Sequence, residues 1–451
     1  MRGTFAGGEP YGWLAHGPPK IEDSTLTNHW TDLRTGLGTL AVSTFLIGTT
    51  LLHAQEAQPA PSLEQRLLEV RTELRLEDGR FGGSAAPVLT SAIAQARYVL
   101  IGEDHITREI PRFAAAVCDA MARDGLAAVA IEAGPEVGKF VSSTLGKPDR
   151  LARMAALTKK YPDSVAFQNV REENDFVSHC AETSRNPGFQ VWGLDQEFLG
   201  SAGWLLDSVI ATHPGPKAMA ALTRMRAEER TAAAEAQVNG DPSKLLMMSA
   251  NKDEVEEVSR LLKVEGTAAA NKLWGEFVDS HSIYWKNMQR DPDSNGKRAR
   301  LLKRNLLANI SAAPASGVKP RVLLKFGDWH LYKGFNPLHQ LDLGNFVAEL
   351  ADGQGSRSLH IAVLGAKGVH RMYAGYNRPE RLEPFVMTDD KDYGWLKPLV
   401  ENQVSGAWTV YDLRRLRFQK MGTLDAGLER LIYGYDLLVL VPELTPAEMV
   451  Q

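Results

Sequence analysis

Short apolar runs that stop at a carboxylate or an imidazole recur along this chain and alternate with segments of helical spacing. The clearest are Tyr98-Val99-Leu100-Ile101, closed by Gly102-Glu103-Asp104-His105, and Val322-Leu323-Leu324-Lys325-Phe326, closed by Gly327-Asp328-Trp329-His330. Between them stand Ala127-Ala128-Val129-Ala130-Ile131-Glu132 and the run from Phe189 to Asp195. Later runs at 359–364, 408–411 and 437–441 bring the expected strands to about seven. Continuous apolarity marks strands buried on both faces, the pattern of parallel sheets covered by helices on either side. Apolar runs alone do not separate a strand from a buried helix; the alternation with helical segments decides it. The expected fold class is therefore α/β, a mainly parallel central sheet with helices on both faces.

Residues 1–60 read as a tail and signal-like segment, and 61–451 as one α/β domain. Leu63, Leu67, Val70 and Leu74 fall at helical spacing, so a leading helix is expected over 63–76, with a turn at Asp78-Gly79. A second helix starts near Thr107, accepts Pro111 in its first turn and closes at Gly125. From about 196 to 319 the composition shifts to Ala, Glu, Lys, Arg and Leu, broken by turns at Asn239-Gly240-Asp241-Pro242 and at 291–296. This predicts a helical insertion of roughly four helices, forming a cap above the strand ends.

The formal charge is only -4 and no long Lys/Arg block occurs, which argues against nucleic acid as a partner and for a small-molecule substrate. The stretch from Gly36 to Leu52 carries no charge, follows Arg34 and runs into His53-Ala54. It suits the apolar region of a signal peptide, with translation beginning near Leu33 and cleavage near Ala54. An exported protein, periplasmic or secreted, is expected; the alternative is an N-terminal anchor, and this segment is the only expected contact with a membrane. Two cysteines, Cys118 and Cys180, exclude a Cys-rich zinc site or a disulfide scaffold. Both fall in helical segments and read as small core residues, with one disulfide as the alternative.

In an open α/β sheet, ligands bind beyond the carboxyl ends of the strands. Glu103, His105, Glu132, Asp195, Asp328 and His330 all fall there. A buried strand that ends in a carboxylate pays for desolvation unless the group is paired or at a rim, and four such ends point to a site. A carboxylate beside an imidazole fixes its tautomer and raises its basicity, so His105 or His330 is a candidate base toward water. The candidate catalytic set is His105, Glu103, Glu132 and His330. Arg108, Asp195 and Asp328 are candidates for substrate binding, Arg108 because it sits near a helix N-terminus where it could hold an oxyanion. Two histidines and a carboxylate also suit zinc or manganese with an open water position, and His105, Glu132 and His330 would then be the ligands. His179, His281 and His360 show no partner in the sequence and read as core or surface residues. There is no Gly-x-Ser-x-Gly elbow, Gly-rich phosphate loop or His-Glu-x-x-His, which leaves water activated by His/Glu, with or without a metal, as the economical mechanism; the leading reading requires no cofactor.

The segments Val99–His105, Ala130-Ile131-Glu132-Ala133, Gly193-Leu194-Asp195 and Phe326–His330 resemble the erythromycin esterase-like, ChaN-like and Tiki/TraB superfamily. Tyr433-Gly434-Tyr435-Asp436-Leu437-Leu438-Val439-Leu440 is similar to the end of erythromycin esterase-like domains, so the resemblance spans roughly 85–445. It implies an α/β core with a helical cap, with Glu103 and His105 as the first acid/His pair, Glu132 as the strand-end glutamate and His330 as the second histidine. In the esterase branch such residues activate water against a macrolactone ester. In the Tiki branch they support metal-dependent peptide cleavage, and the ChaN branch is associated with haem, so a divalent metal or haem is the cofactor alternative. The chain departs from the esterase pattern at its first motif: one residue, Asp104, stands between Glu103 and His105, and Ile106 replaces the glycine that follows.

Overall fold

The computed structural model describes residues 61–312, 320–419 and 422–450; the signal-like stretch at 36–52 lies outside the described residues. The strands among them are β1 (Arg71–Glu77), β2 (Arg80–Gly82), β3 (Tyr98–Glu103), β4 (Leu126–Ile131), β5 (Gln190–Gly193), β6 (Arg321–Gly327), β7 (Ser358–Gly365), β8 (Lys367–Met372), β9 (Arg381–Val386), β10 (Trp408–Asp412) and β11 (Leu437–Val441). Nine form one sheet in the order β2-β1-β10-β11-β7-β3-β6-β4-β5, and β8 and β9 form a separate hairpin. From β11 to β5 every neighbouring pair is parallel, and β2, β1 and β10 add an antiparallel edge. The mainly parallel sheet expected from the apolar runs is present, and each of those runs is one of its strands.

Side chains alternate across a strand, and here both sides are apolar because both meet helices. Val99 and Ile101 of β3 and Leu323 of β6 pack with Phe113, Val137 and Phe176 from helices at Glu109–Ala122, Pro135–Thr144 and Arg171–Ser184. Tyr98, Leu100, Val322 and Leu324 face the other way, onto Leu67, Leu306, Val347 and Leu431 from helices at Leu63–Val70, Asp293–Ala312, Leu343–Gly353 and Ala426–Gly434. Each fully buried aliphatic side chain contributes about 1.5–3 kcal/mol relative to exposure, so the sheet is a stiff platform for whatever sits at its edge.

Three details differ from the sequence reading. The leading helix stops at Val70, and 71–77 is β1: Leu74 lies four residues beyond Val70, but Arg71-Thr72-Glu73-Leu74-Arg75-Leu76 alternates with period two and pairs with β10. The stretch at 291–296 is not all turn, because Asp291 accepts the Asp293 N–H and starts the helix Asp293–Ala312 through Gly296. Cys118 and Cys180 are not separate core residues but a disulfide joining the helices Glu109–Ala122 and Arg171–Ser184.

Between β5 and β6 the chain forms helices at Ala202–Ile210, Pro216–Asn239, Lys252–Glu265, Ala268–Met288 and Asp293–Ala312, with a short turn at Leu246–Ser249. They enclose an apolar cluster of their own around Leu222, Met225, Trp274 and Phe277. No helix among the described residues is long and apolar enough to cross a membrane.

Candidate functional site

From β3 the chain steps outward to β4 and β5, returns to place β6 against β3, then adds β7 on the other side of β3. Such a reversal opens a crevice at the carboxyl ends of the strands. Glu103 lies opposite Gly327 in the register, so the ends of β3 and β6 meet at one level. A cavity of about 580 Å³ opens there, and Glu103, His105, Glu132, Asp195, Asp328 and His330 all line it.

Glu132, just past β4, is the centre of the arrangement. Its Oε2 accepts the Gly327 backbone N–H at 2.6 Å and lies 3.4 Å from His105 Nε2. Its Oε1 accepts from Arg298 Nη2 at 2.7 Å and lies 3.6 Å from His330 Nε2. Burial favours the neutral acid, yet His330, His105 and Arg298 together hold this carboxyl well below the usual range. The other nitrogen of each ring faces its own carboxylate: His105 Nδ1 is 3.0 Å from Glu103 Oε1, and His330 Nδ1 is 2.8 Å from Asp342 Oδ2. Burial opposes charge on His105, but Glu132 and Glu103 outweigh it and push its pKa up to about 10. His330 is raised too: burial and Arg298 work against the proton, and Asp342 and Glu132 overcome them.

The motif glycines have a steric reason. A Cβ on Gly327 would meet His105 Nε2 at 2.7 Å, and one on Gly102 would meet the Tyr435 hydroxyl at 2.2 Å. Ile106 holds φ at 59°, a left-handed conformation that costs a β-branched residue and that glycine adopts freely. The residue that replaces the esterase glycine therefore keeps a glycine-like backbone. Phe167, at φ 60°, stacks on the His105 ring at 4.0 Å.

Several functional groups escaped the sequence reading. Arg298, on the helix Asp293–Ala312, reaches into the cavity and grips Asp195 through Nε at 3.0 Å and also through Nη2 while holding Glu132. These carboxylates keep the guanidinium charged in spite of burial. Lys325, in the middle of β6, pairs with Glu103 and lies 2.6 Å from Glu173 on the helix Arg171–Ser184. Burial pushes Glu173 up to about 7 against the pull of Lys325. The one charged residue inside an otherwise apolar strand was the available signal for Lys325; nothing distinguishes Arg298 from the other basic residues of the insertion. Elsewhere in the cavity, Asp104 Oδ2 lies 3.0 Å from His370 Nε2, and Tyr393 donates to Asp328 Oδ1 at 2.7 Å. Burial raises Asp328 to about 7 in spite of that donation.

Arg108 is a correction. It does not line the cavity; its half-exposed guanidinium pairs with Glu172 at 3.2 Å, at the head of a helix that begins at Glu109 rather than Thr107. Arg298, with Arg371 and Lys391, is among the cations that do line the cavity. His281 and His360 are buried on backbone carbonyls of Met247 and Leu331, and His179 pairs with Asp119 near the surface.

A metal shared by His105, Glu132 and His330 does not fit these residues. Glu132, on which both Nε2 atoms converge, is already held by the Gly327 N–H and by the Arg298 guanidinium, and that buried positive charge opposes a metal ion at the same point. Among the described residues no group of three or more His, Cys, Asp or Glu is placed to hold a metal ion.

No protein-family profile and no curated protein matches the sequence. Solved structures do match. An erythromycin esterase mutant in its open conformation superposes with a TM-score of 0.57 at 12% identity, over 84% of this chain and 99% of that one. A succinoglycan biosynthesis protein matches with a TM-score of 0.52 at 16% identity, over 86% and 97% of the two chains. A Bacillus cereus protein matches with a TM-score of 0.51 at 14% identity, over 87% and 100%. The chain has the erythromycin esterase-like fold, as the motif resemblance implied.

Proposed function

We propose that this protein is a hydrolase that cleaves an ester, lactone or amide bond of a small molecule with water activated by His105. The observation that carries the reading is Glu132, a buried carboxylate set between the Nε2 atoms of two imidazoles in a cavity. In its neutral form His105 accepts a proton at Nε2 from a water molecule, while Glu103 takes the hydrogen on Nδ1 and fixes the ring. The water oxygen attacks the carbonyl carbon. Arg298, held charged by Asp195 and Glu132, stabilises the negative charge that develops on the carbonyl oxygen, with His330, whose pKa Asp342 and Glu132 raise, beside it. Arg298 takes the part that the sequence reading gave to Arg108, and Asp195 acts by holding Arg298.

The cavity volume of about 580 Å³ falls within the range of small-molecule sites. Phe167, Phe198, Trp329 and Phe385 give it apolar walls suited to the body of such a substrate. The likeness to an erythromycin esterase supports an ester or lactone as the first class to try, and the chemistry itself rests on the site. No metal or haem enters this reading. The Cys118–Cys180 disulfide supports an exported setting, since such bonds persist in oxidising compartments. The test is a panel of simple esters, lactones and amides: turnover of at least one class is expected, and silence on all three contradicts the reading.

A further inference from the structure

We infer that His370, paired with Asp104, is a further catalytic residue: the general acid that protonates the leaving group. The inference rests on the hydrolase reading above. His370 belongs to β8, in the hairpin outside the main sheet, and lines the same cavity as His105. Its ring lies flat on Phe385 of β9, with centroids 3.7 Å apart and planes 4° from parallel, and its Nε2 is 3.0 Å from Asp104 Oδ2. Asp104 directly precedes His105, so one turn after β3 serves both imidazoles, Glu103 orienting His105 and Asp104 orienting His370.

Cleavage that expels an alkoxide needs a proton delivered as well as one removed. His105 is badly suited to deliver it, because the imidazolium it becomes is held at both nitrogens, by Glu103 at Nδ1 and Glu132 at Nε2. His370 has one carboxylate partner, and among the described residues its Nδ1 has no hydrogen-bond partner. Burial works against the charged ring, yet Asp104, with Asp390 and Glu383 beyond it, keeps the pKa of His370 above that of a free histidine. The ring can therefore enter the reaction carrying the proton that Nδ1 gives up. Two imidazoles in one cavity, each oriented by its own carboxylate, can divide acid and base work between them.

The water oxygen bonds to the carbonyl carbon as His105 takes one water proton and the C=O π pair moves onto the carbonyl oxygen. The C=O bond then re-forms as the bond from that carbon to the leaving oxygen breaks, and the Nδ1 proton of His370 passes to the leaving oxygen. Acid and alcohol depart, His105 releases its proton to solvent and His370 regains one.

The test exploits leaving-group basicity: a general acid matters for an alkoxide and little for a stabilised phenolate. Ethyl butyrate and para-nitrophenyl butyrate are compared in wild type, His370→Asn and Asp104→Asn. For His370→Asn the expected fall in kcat/KM is about a hundredfold or more on the ethyl ester and only a few-fold on the nitrophenyl ester. Asp104→Asn should show the same split at smaller size, and it carries the test if His370→Asn does not fold. Equal losses on both esters, or no loss on either, overturn the assignment while wild-type turnover keeps the hydrolase reading standing. If wild type cleaves neither ester, a pair of good and poor leaving groups is drawn from whichever class of the panel it does cleave; if it cleaves none, the hydrolase reading fails and this assignment falls with it.

Discussion

The Nε2 atom of His105 lies 3.4 Å from Oε2 of Glu132, and the opposite nitrogen of the same ring is bound to Glu103. A ring bracketed in this way holds its proton tightly, and a general base works only without it. With burial outweighed by Glu132 and Glu103, the pKa of the free site stands at about 10. The sign follows: the active, neutral ring becomes more abundant as pH rises, by about tenfold per unit below the pKa. On a nitrophenyl ester, whose leaving group needs no general acid, the kcat/KM profile should climb through neutrality and level off only near about 10. Glu132→Gln removes the larger of the two raising charges, so its rising limb should move to lower pH. A wild-type profile on that nitrophenyl ester that is flat through neutrality, or that falls over this range, would contradict the assignment.

Arg298 is buried between Asp195 and Glu132. Arg298→Met leaves both carboxylates without their cation, and removing one partner of a buried pair costs about 3–5 kcal/mol. The denaturation midpoint should fall sharply in urea, with the slope unchanged. Arg298→Lys should recover only part of the loss, because an ammonium cannot reproduce the two-pronged grip on Asp195. A methionine variant as stable as wild type would mean that these carboxylates are not desolvated.

The Cys118–Cys180 bond closes a loop with a sequence separation of 62 and fastens the helix that carries Glu173. Loss of loop-closure entropy in the unfolded chain gives such a bond about 4 kcal/mol. Reduction, or Cys118→Ser with Cys180→Ser, should lower the urea midpoint accordingly, and the oxidised protein should show no free thiol on titration. Two reactive thiols in the untreated protein would rule the bond out.

The strand ends were legible in the sequence because physics marks them. An apolar run such as Ala127–Ile131 has no reason to finish in Glu132 unless that carboxylate has work or a partner at the rim. His105 and His330 were legible for the same reason. Arg298 was not, because it rides on an amphipathic helix where one basic residue looks like the next, and only the packing of the insertion on β4 and β5 gives it two carboxylates. Arg108 was misjudged by proximity: three positions past His105, it lies beyond the turn and points to Glu172. His370 stood in a hairpin whose strands carry no continuous apolar run, and its partner Asp104 lies far away in sequence. Leu74 fitted a helical period and a strand period equally well, and pairing with β10 settled which. The disulfide is a spatial fact, set by how two helices pack on one face of the sheet.

Whether His105 takes the proton from water is measured most directly by kcat/KM for His105→Ala beside wild type, on whichever ester, lactone or amide the wild type turns over best. A fall of about a hundredfold or more is expected in a variant that still unfolds cooperatively. A folded His105→Ala protein with an unchanged rate would contradict that role.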